Sequence, residues 1–317
     1  MVHDTLGGLI RDARERKGYT QEELCYGICT PSTLSRIENG LQMPGKKILE
    51  AILQRLGIAD RVYNIYLSRE ETEQFELEHQ LMRSLRNGDF TQAELLADSI
   101  EQKIDRDSGK NYKRKIEKQY IGFARILIRK HKGEHAGQIL EKLLELIRMT
   151  IPDFDGLHIK NRLLTFHEIA ILKDIGCAYH DMGKLWNGLQ LLSELKEYME
   201  KHIVDGDKRS SVQYPLVLQT MSSWLYQEGY HEDALTLCQL GIDFCIEHGK
   251  LHTFPMLLCN KACALAELGQ YDSSRECFFQ SIAIFLAIKQ QEHAVRVKKY
   301  ASRNYGINLD DFFVDNQ

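Results

Sequence analysis

Apolar positions in this chain recur at three- and four-residue spacing almost from end to end. Over the first 66 residues they come in short groups: Leu6, Leu9, Ile10 and Ala13, then Leu24, then Leu34 and Ile37, then Ile48, Leu49, Ile52, Leu53 and Leu56. Each group keeps a 3.6-residue period but is too short to hold a helix by itself, so the pattern predicts one small bundle of mutually packed helices. From about Glu70 the same period continues nearly to the C-terminus with no alternating strand pattern, which predicts an all-α body.

Turn signals divide that body at intervals. Gly88-Asp89-Phe90, Gly133-Glu134-His135, Gly183-Lys184-Leu185, Gly229-Tyr230-His231 and Gly269-Gln270-Tyr271 are separated, glycine to glycine, by 45, 50, 46 and 40 residues. One glycine turn between two helix-length patterns, repeated at this period, predicts about five stacked helical hairpins. Small residues fall where paired helices must approach: Ala93, Gly188, Ala234 and Ser274 after the turns, and Gly176, Ser222 and Ala262 before them. The second unit fits worst, with Gln138 and Ile126 at those positions. The units resemble a loose tetratricopeptide repeat, which implies a right-handed superhelix. Residues 290 to 304 add a capping helix, and Leu309, Phe312 and Phe313 are expected to close the stack.

Within the first segment, Gly18 to Leu24 and Gly27 to Gly40 read as two short helices joined by a tight turn. Thr20 with Glu23 forms a capping-box pattern, Thr30 is an N-cap and Pro31 occupies the first helical position, where a missing N–H costs nothing. Leu34 and Ile37 mark the buried face of the second helix, leaving Ser32, Thr33, Ser35 and Arg36 outward, and Gly40 ends it. A helix of this size fits the major groove of B-DNA with its N-terminal residues toward base edges. Arg36 is the best single base reader, since Ser, Thr and Pro lack its bidentate reach.

TQEEL followed by STLSRIENG resembles the lambda-repressor-like, XRE-type DNA-binding domain, a fold of five helices, over residues 4 to about 58. The resemblance implies a buried structural salt bridge between Arg14 and Glu38, phosphate contacts from Gln21 and Asn39, and base-facing positions at Thr30, Pro31, Ser32, Thr33 and Arg36, beside the outward Ser35. The segment between Leu24 and Ser32 is one residue shorter than usual and ends Gly27-Ile28-Cys29-Thr30. With the repeat body, this shortened turn resembles the RRNPP family of peptide-pheromone-sensing regulators (PlcR, Rgg and PrgX types). That resemblance implies a homodimer on a pseudopalindromic DNA operator, with a short linear signalling peptide in the concave groove of the repeats. The division follows: residues 1–66 for DNA, residues 67–317 for peptide sensing and dimerisation.

Composition constrains this picture without changing it. The 317 residues carry 41 Lys+Arg and 45 Asp+Glu, a net charge of −4. The first 66 residues hold nine basic and eight acidic side chains, so the acidic excess lies downstream. No run of about 18 apolar residues exists, and charges interrupt the first stretch where a leader peptide would be apolar, which points to a cytoplasmic protein with no membrane partner. The eight cysteines are scattered with no CxxC, as buried reduced thiols would be. Cys25 and Cys29 lack further ligands at metal spacing. No nucleophile elbow, phosphate loop, HExxH or dinucleotide fingerprint occurs, so neither an enzyme nor a cofactor is expected.

If each hairpin's first helix lines the groove, the inward positions lie ten, six and three residues before the turn glycine. These select Phe123, Leu127 and Lys130, then Lys173, Cys177 and His180, then Gln219, Ser223 and Tyr226, then Cys259, Cys263 and Ala266, with Asn260 one step round. Amides would pair with peptide main chain, and Lys130 and Lys173 would attract a carboxylate. Two other readings stay open: repeats that bind a protein partner, and a repeat scaffold or peptide receptor whose bundle does not bind DNA.

Overall fold

The computed structural model describes residues 6–58, 69–106, 111–159, 162–202 and 210–309, and no strand occurs among them. The bundle comprises α1 (Leu6–Arg16), α2 (Gln21–Cys25), α3 (Pro31–Glu38) and α4 (Lys46–Arg55). A fifth bundle helix would fall on residues 59–68, outside the described residues, as do Phe312 and Phe313. Five hairpins follow: α5 (Arg69–Arg86) with α6 (Phe90–Arg106), α7 (Asn111–His131) with α8 (Ala136–Ile147), α9 (Phe166–Asp181) with α10 (Leu185–His202), α11 (Ser210–Gln227) with α12 (His231–Glu247), and α13 (Phe254–Glu267) with α14 (Tyr271–Ala287). Helix α15 (Gln291–Tyr305) packs on α14.

The chain divides into two compact units, Met1–Asp207 and Lys208–Gln317. In the first, Ile10, Leu24, Ile28, Leu34, Ile37, Ile52 and Leu56 form the bundle's core, which Leu163 of the segment before α9 joins. Leu81, Ala93, Ala97, Ile100 and Ile121 form a second core under the first hairpin. In the second unit, Phe278, Ile282 and Phe285 pack with Val297 and Ala301 of α15 and with Leu309.

The five turn glycines all have φ between 73° and 84°. A side chain is strained in that left-handed region, so each glycine ends its helix where the chain must reverse. Ala93, Ala234, Ala262, Ser222 and Ser274 are buried, and Ser274 Oγ donates to the Ala262 carbonyl at 2.7 Å across the last hairpin. Gln138 is exposed instead. The close approach of the second hairpin is made at Gly122, where an added Cβ would stand 2.6 Å from Leu146 Cδ1.

Candidate nucleic-acid interface and the inner faces of the repeats

Local chemistry builds α3. Thr30 has extended backbone, its Oγ1 accepts from the Thr33 N–H at 3.1 Å, and Pro31 opens the helix. The same hydroxyl lies 2.9 Å from both Ser32 Oγ and Thr33 Oγ1, so Thr30 acts chiefly as the cap. Leu34, Ile37 and Glu38 are buried; Pro31, Ser32, Arg36 and Asn39 are exposed; Thr33 and Ser35 are half-buried. Upstream, Glu23 caps α2 reciprocally: the Thr20 N–H donates to its carboxylate at 2.7 Å and the Glu23 N–H donates to Thr20 Oγ1 at 3.1 Å.

One carboxylate fixes α3 to the rest of the bundle. Glu38, 1% exposed, accepts from Arg14 Nε at 2.7 Å, from Arg14 Nη2 at 3.0 Å and from Gln21 Nε2 at 2.7 Å. Arg14 Nη1 also donates to the Tyr19 carbonyl at 2.9 Å, tying down the turn before α2. Its hydrogen bond to the Glu38 carboxylate holds the Arg14 guanidinium still more firmly protonated than usual. Gln21 therefore gives one amide N–H to Glu38 and keeps a second to donate. Asn39 is likewise engaged: its Oδ1 accepts from Arg11 and its Nδ2 donates to the Ser35 carbonyl at 2.8 Å. Arg11, beside both Asn39 and Glu38, was not selected from the sequence; its i, i+3 relation to Arg14 on α1 was the available signal.

The bundle meets the first repeats along a second set of residues with no motif to announce them. Tyr26 OH donates to Asp153 at 2.7 Å, and the Arg162 guanidinium lies 4.1 Å over the Tyr26 ring. Arg55 donates to the carbonyls of Leu24 and Tyr26 and lies 3.5 Å from Glu168, both side chains 1% exposed. Gln54 Oε1 accepts from the Phe166 N–H at 3.1 Å. Gly27, at φ +69°, presses against Thr150, whose carbonyl would stand 1.9 Å from an added Cβ. Arg55 Nε is buried without a partner.

Of the residues expected on an inner face in the first unit, Phe123 is buried edge-on to His167, Leu127 is half-buried, and the two lysines are already paired: Lys130 with Asp181 at 3.2 Å and Lys173 with Asp174 at 3.0 Å. His180 shares Asp181 at 3.6 Å. Cys177 lies half-buried near both lysines, and burial pushes its thiol up. A peptide carboxylate would have to compete with these aspartates. In the second unit Gln219, Ser223 and Tyr226 are half-buried, whereas Cys259, Asn260 and Cys263 lie in the packed interior. The two cysteines share a core with Val297 and Ala301 of α15, and Asn260 donates to the Gln219 carbonyl at 3.0 Å and to Ser222 Oγ at 3.1 Å. These three side chains thus join helices together. No cluster of three or more metal-ligating residues occurs among the described residues.

An α3 presented outward, seated on a capped α2 and locked through Glu38, is the arrangement of a groove-reading helix. Residues 10–61 match the helix-turn-helix family. The N-terminal bundle is a helix-turn-helix domain. Among solved structures, the chain is similar to PlcR of Bacillus thuringiensis in complex with the peptide PapR7 and DNA, at 16% identity and a TM-score of 0.58, covering 92% of this chain and 98% of that one. The apo form of PlcR gives 14% identity, a TM-score of 0.56 and coverage of 92% and 97%. The SHP pheromone receptor Rgg2 of Streptococcus dysgalactiae gives 13% identity, a TM-score of 0.50 and coverage of 94% and 99%. At these identities the likeness is one of fold. No curated protein sequence matches the chain. No helix among the described residues is long and apolar enough to cross a membrane.

Proposed function

We propose that the protein is a non-enzymatic, cytoplasmic transcription regulator that reads operator DNA through α3 as a homodimer and responds to a short peptide held on the inner faces of its repeats. The observation that carries the reading is α3 itself, whose exposed Ser32 and Arg36 stand on a helix fixed by the Arg14–Glu38–Gln21 node. Arg36 reads a base edge, Pro31, Ser32 and Thr33 contact methyl groups and edges beside it, and Gln21, Ser35 and Asn39 follow the backbone. Two such domains address half-sites one or two helical turns apart. PlcR, crystallised with both peptide and DNA, supports combining the two ligands in one fold. On this reading residues 1–66 serve DNA and residues 67–317 serve peptide and dimerisation, with Leu127, Lys130, Lys173, Cys177, His180, Gln219, Ser223 and Tyr226 as the lining and the buried Phe123 behind it.

The test is footprinting and gel shift against the DNA upstream of the protein's own gene. A protected pseudopalindrome is expected, with affinity falling steeply as salt rises and Arg36→Ala weakening it by about 10- to 100-fold. No protected site, or an Arg36→Ala variant that binds like the parent, overturns the DNA reading. A pool of synthetic heptapeptides that leaves both the melting temperature and the gel shift unchanged overturns the peptide reading.

A further inference from the structure

In the second unit, three tyrosines from two helices converge on one carboxylate of a third. Tyr226 of α11 has its hydroxyl against that of Tyr305 and 3.3 Å from that of Tyr300, both on α15. Tyr305 OH donates to Glu267 Oε1, at the end of α13, at 3.2 Å. Each phenol has a single proton. With Tyr305 committed to Glu267, Tyr226 must donate to Tyr305, and Tyr300 to Tyr226, so the whole chain of hydrogen bonds points toward the carboxylate. What remains is acceptor capacity only: the other Glu267 oxygen and phenolic lone pairs.

The charge is equally one-sided. Glu267 is exposed and meets no cation among the described residues, unlike Asp174 and Asp181 of the first unit, each held by a lysine. Burial and the neighbouring hydroxyls keep Tyr300 and Tyr305 protonated beyond the usual phenol range, so Glu267 supplies the only formal charge of the cluster. A carboxylate beside phenolic oxygens that have only lone pairs left to offer is a combination that holds an ammonium or guanidinium group, through charge-assisted hydrogen bonds.

We propose that Tyr226, Tyr300, Tyr305 and Glu267 form a binding site for a primary ammonium or guanidinium group carried by the bound peptide. The site takes its occupant from the peptide reading above and rests on it. The cation is either the peptide's N-terminal amine or a lysine or arginine side chain, and the chemistry of recognition is the same for both.

The test uses the full chain labelled with 3-fluorotyrosine, with the three resonances assigned by single Tyr→Phe variants and followed by fluorine NMR. Titration with n-butylammonium and n-butylguanidinium is expected to give saturable shifts of these resonances, and sodium butyrate at equal ionic strength none. Glu267→Gln, exposed and isosteric, should weaken the ammonium titration at least fivefold while leaving the melting temperature unchanged; Tyr300→Phe gives a second variant that keeps the ring. Absent shifts, equal shifts with butyrate, or a Glu267→Gln variant that titrates like the parent overturns the site. Heptapeptide pools with free or acetylated N-termini, with or without lysine and arginine, then name the source of the cation. Pools that bind parent and Glu267→Gln protein equally overturn the site and leave the peptide reading standing. Butylammonium shifts with no pool bound overturn the peptide reading and leave the cation site standing.

Discussion

Arg14 meets Glu38 inside the helix-turn-helix domain through two parallel bonds at 2.7 and 3.0 Å, whereas Arg55 meets Glu168 across the seam between that domain and the repeats at a single 3.5 Å contact. Both pairs are buried, so desolvation penalises both, and what separates them is how completely the charges are hydrogen-bonded. Glu38 receives three donors, and Arg14 reaches a backbone carbonyl besides. Arg55 directs its Nη1 to the carbonyls of Leu24 and Tyr26, within its own domain, and leaves Nε unpartnered. Glu168, for its part, accepts from the Thr165 N–H at 2.7 Å in the capping box of α9. Each seam charge therefore serves its own side first. The domain is a stiff body attached by a softer junction, and local opening should begin at that junction.

The largest effect expected is inside the domain. Arg14→Ala strands Glu38 at 1% exposure and should lower the stability of the domain by about 3–5 kcal/mol. Chemical denaturation of the full chain, followed by a probe within residues 6–58, checks it. Replacing both partners, Arg14→Met with Glu38→Leu, should recover much of that loss, because no buried charge is then left alone. A single Arg14→Ala variant as stable as the parent would mean that the pair is not what locks α3.

Next in size is a pH effect at the seam. His167 is packed between Tyr120 and Phe123, each ring 5.2 Å away, and its Nε2 is buried without a partner. Burial above all, with Lys47 adding to it, depresses its pKa to about 4, while the Gln119 backbone and the charges of Glu168 and Glu78 oppose the shift. The unfolded chain takes up this proton near pH 6.5 and the folded one only near 4, so the unfolded state binds more protons in between. The contribution is fully present above pH 6.5 and is lost as pH falls toward 4, by roughly 3 kcal/mol. Melting curves at pH 7.5, 5.5 and 4.5 measure it, and His167→Phe, which keeps an aromatic ring between Tyr120 and Phe123, should flatten that part of the dependence. A pH profile identical in both proteins would assign the acid sensitivity elsewhere.

The domain was far more legible in the sequence than the seam, for a physical reason. Helix caps and turn glycines act over three or four residues, so Thr20 with Glu23, Thr30 with Pro31, and the turns at Gly88 to Gly269 stand in the sequence as they stand in space. The register of small residues was readable for the same reason and slipped in the second hairpin, where Gly122 takes the close approach. The seam joins Tyr26 to Asp153 and Arg55 to Glu168, more than a hundred residues apart, and no local pattern marks such a pairing. The residues expected to face a peptide fall in between. Helical phase put Lys130, Lys173 and His180 on one face, but the adjoining acids Asp174 and Asp181 that neutralise it, and the covering of Cys259 and Cys263 by α15, depend on packing that periodicity does not encode.

The smallest effect sharpens the contrast most directly, because it should touch the seam and leave the domain intact. Gly27 has φ +69°, which disfavours a side chain by about 1–3 kcal/mol, and its Cα faces the Thr150 carbonyl with no room for a methyl group. Gly27→Ala must therefore displace either the turn or the loop after α8. The turn is held by Arg55 and by the Cys29 N–H donating to the Cys25 carbonyl at 3.0 Å, so the loop is the side expected to yield. Global stability should fall by about 2 kcal/mol, with the loss of amide hydrogen-exchange protection confined to residues around Thr150 to Leu163 and to Tyr26. The protection of Ile10, Leu34 and Ile37 should be unchanged, and so should the affinity for operator DNA if α3 reads it without help from the repeats. Loss of protection spread evenly through residues 6–58 would instead show that the domain and its seam unfold as one cooperative unit, and that the softness inferred from the two ion pairs does not exist.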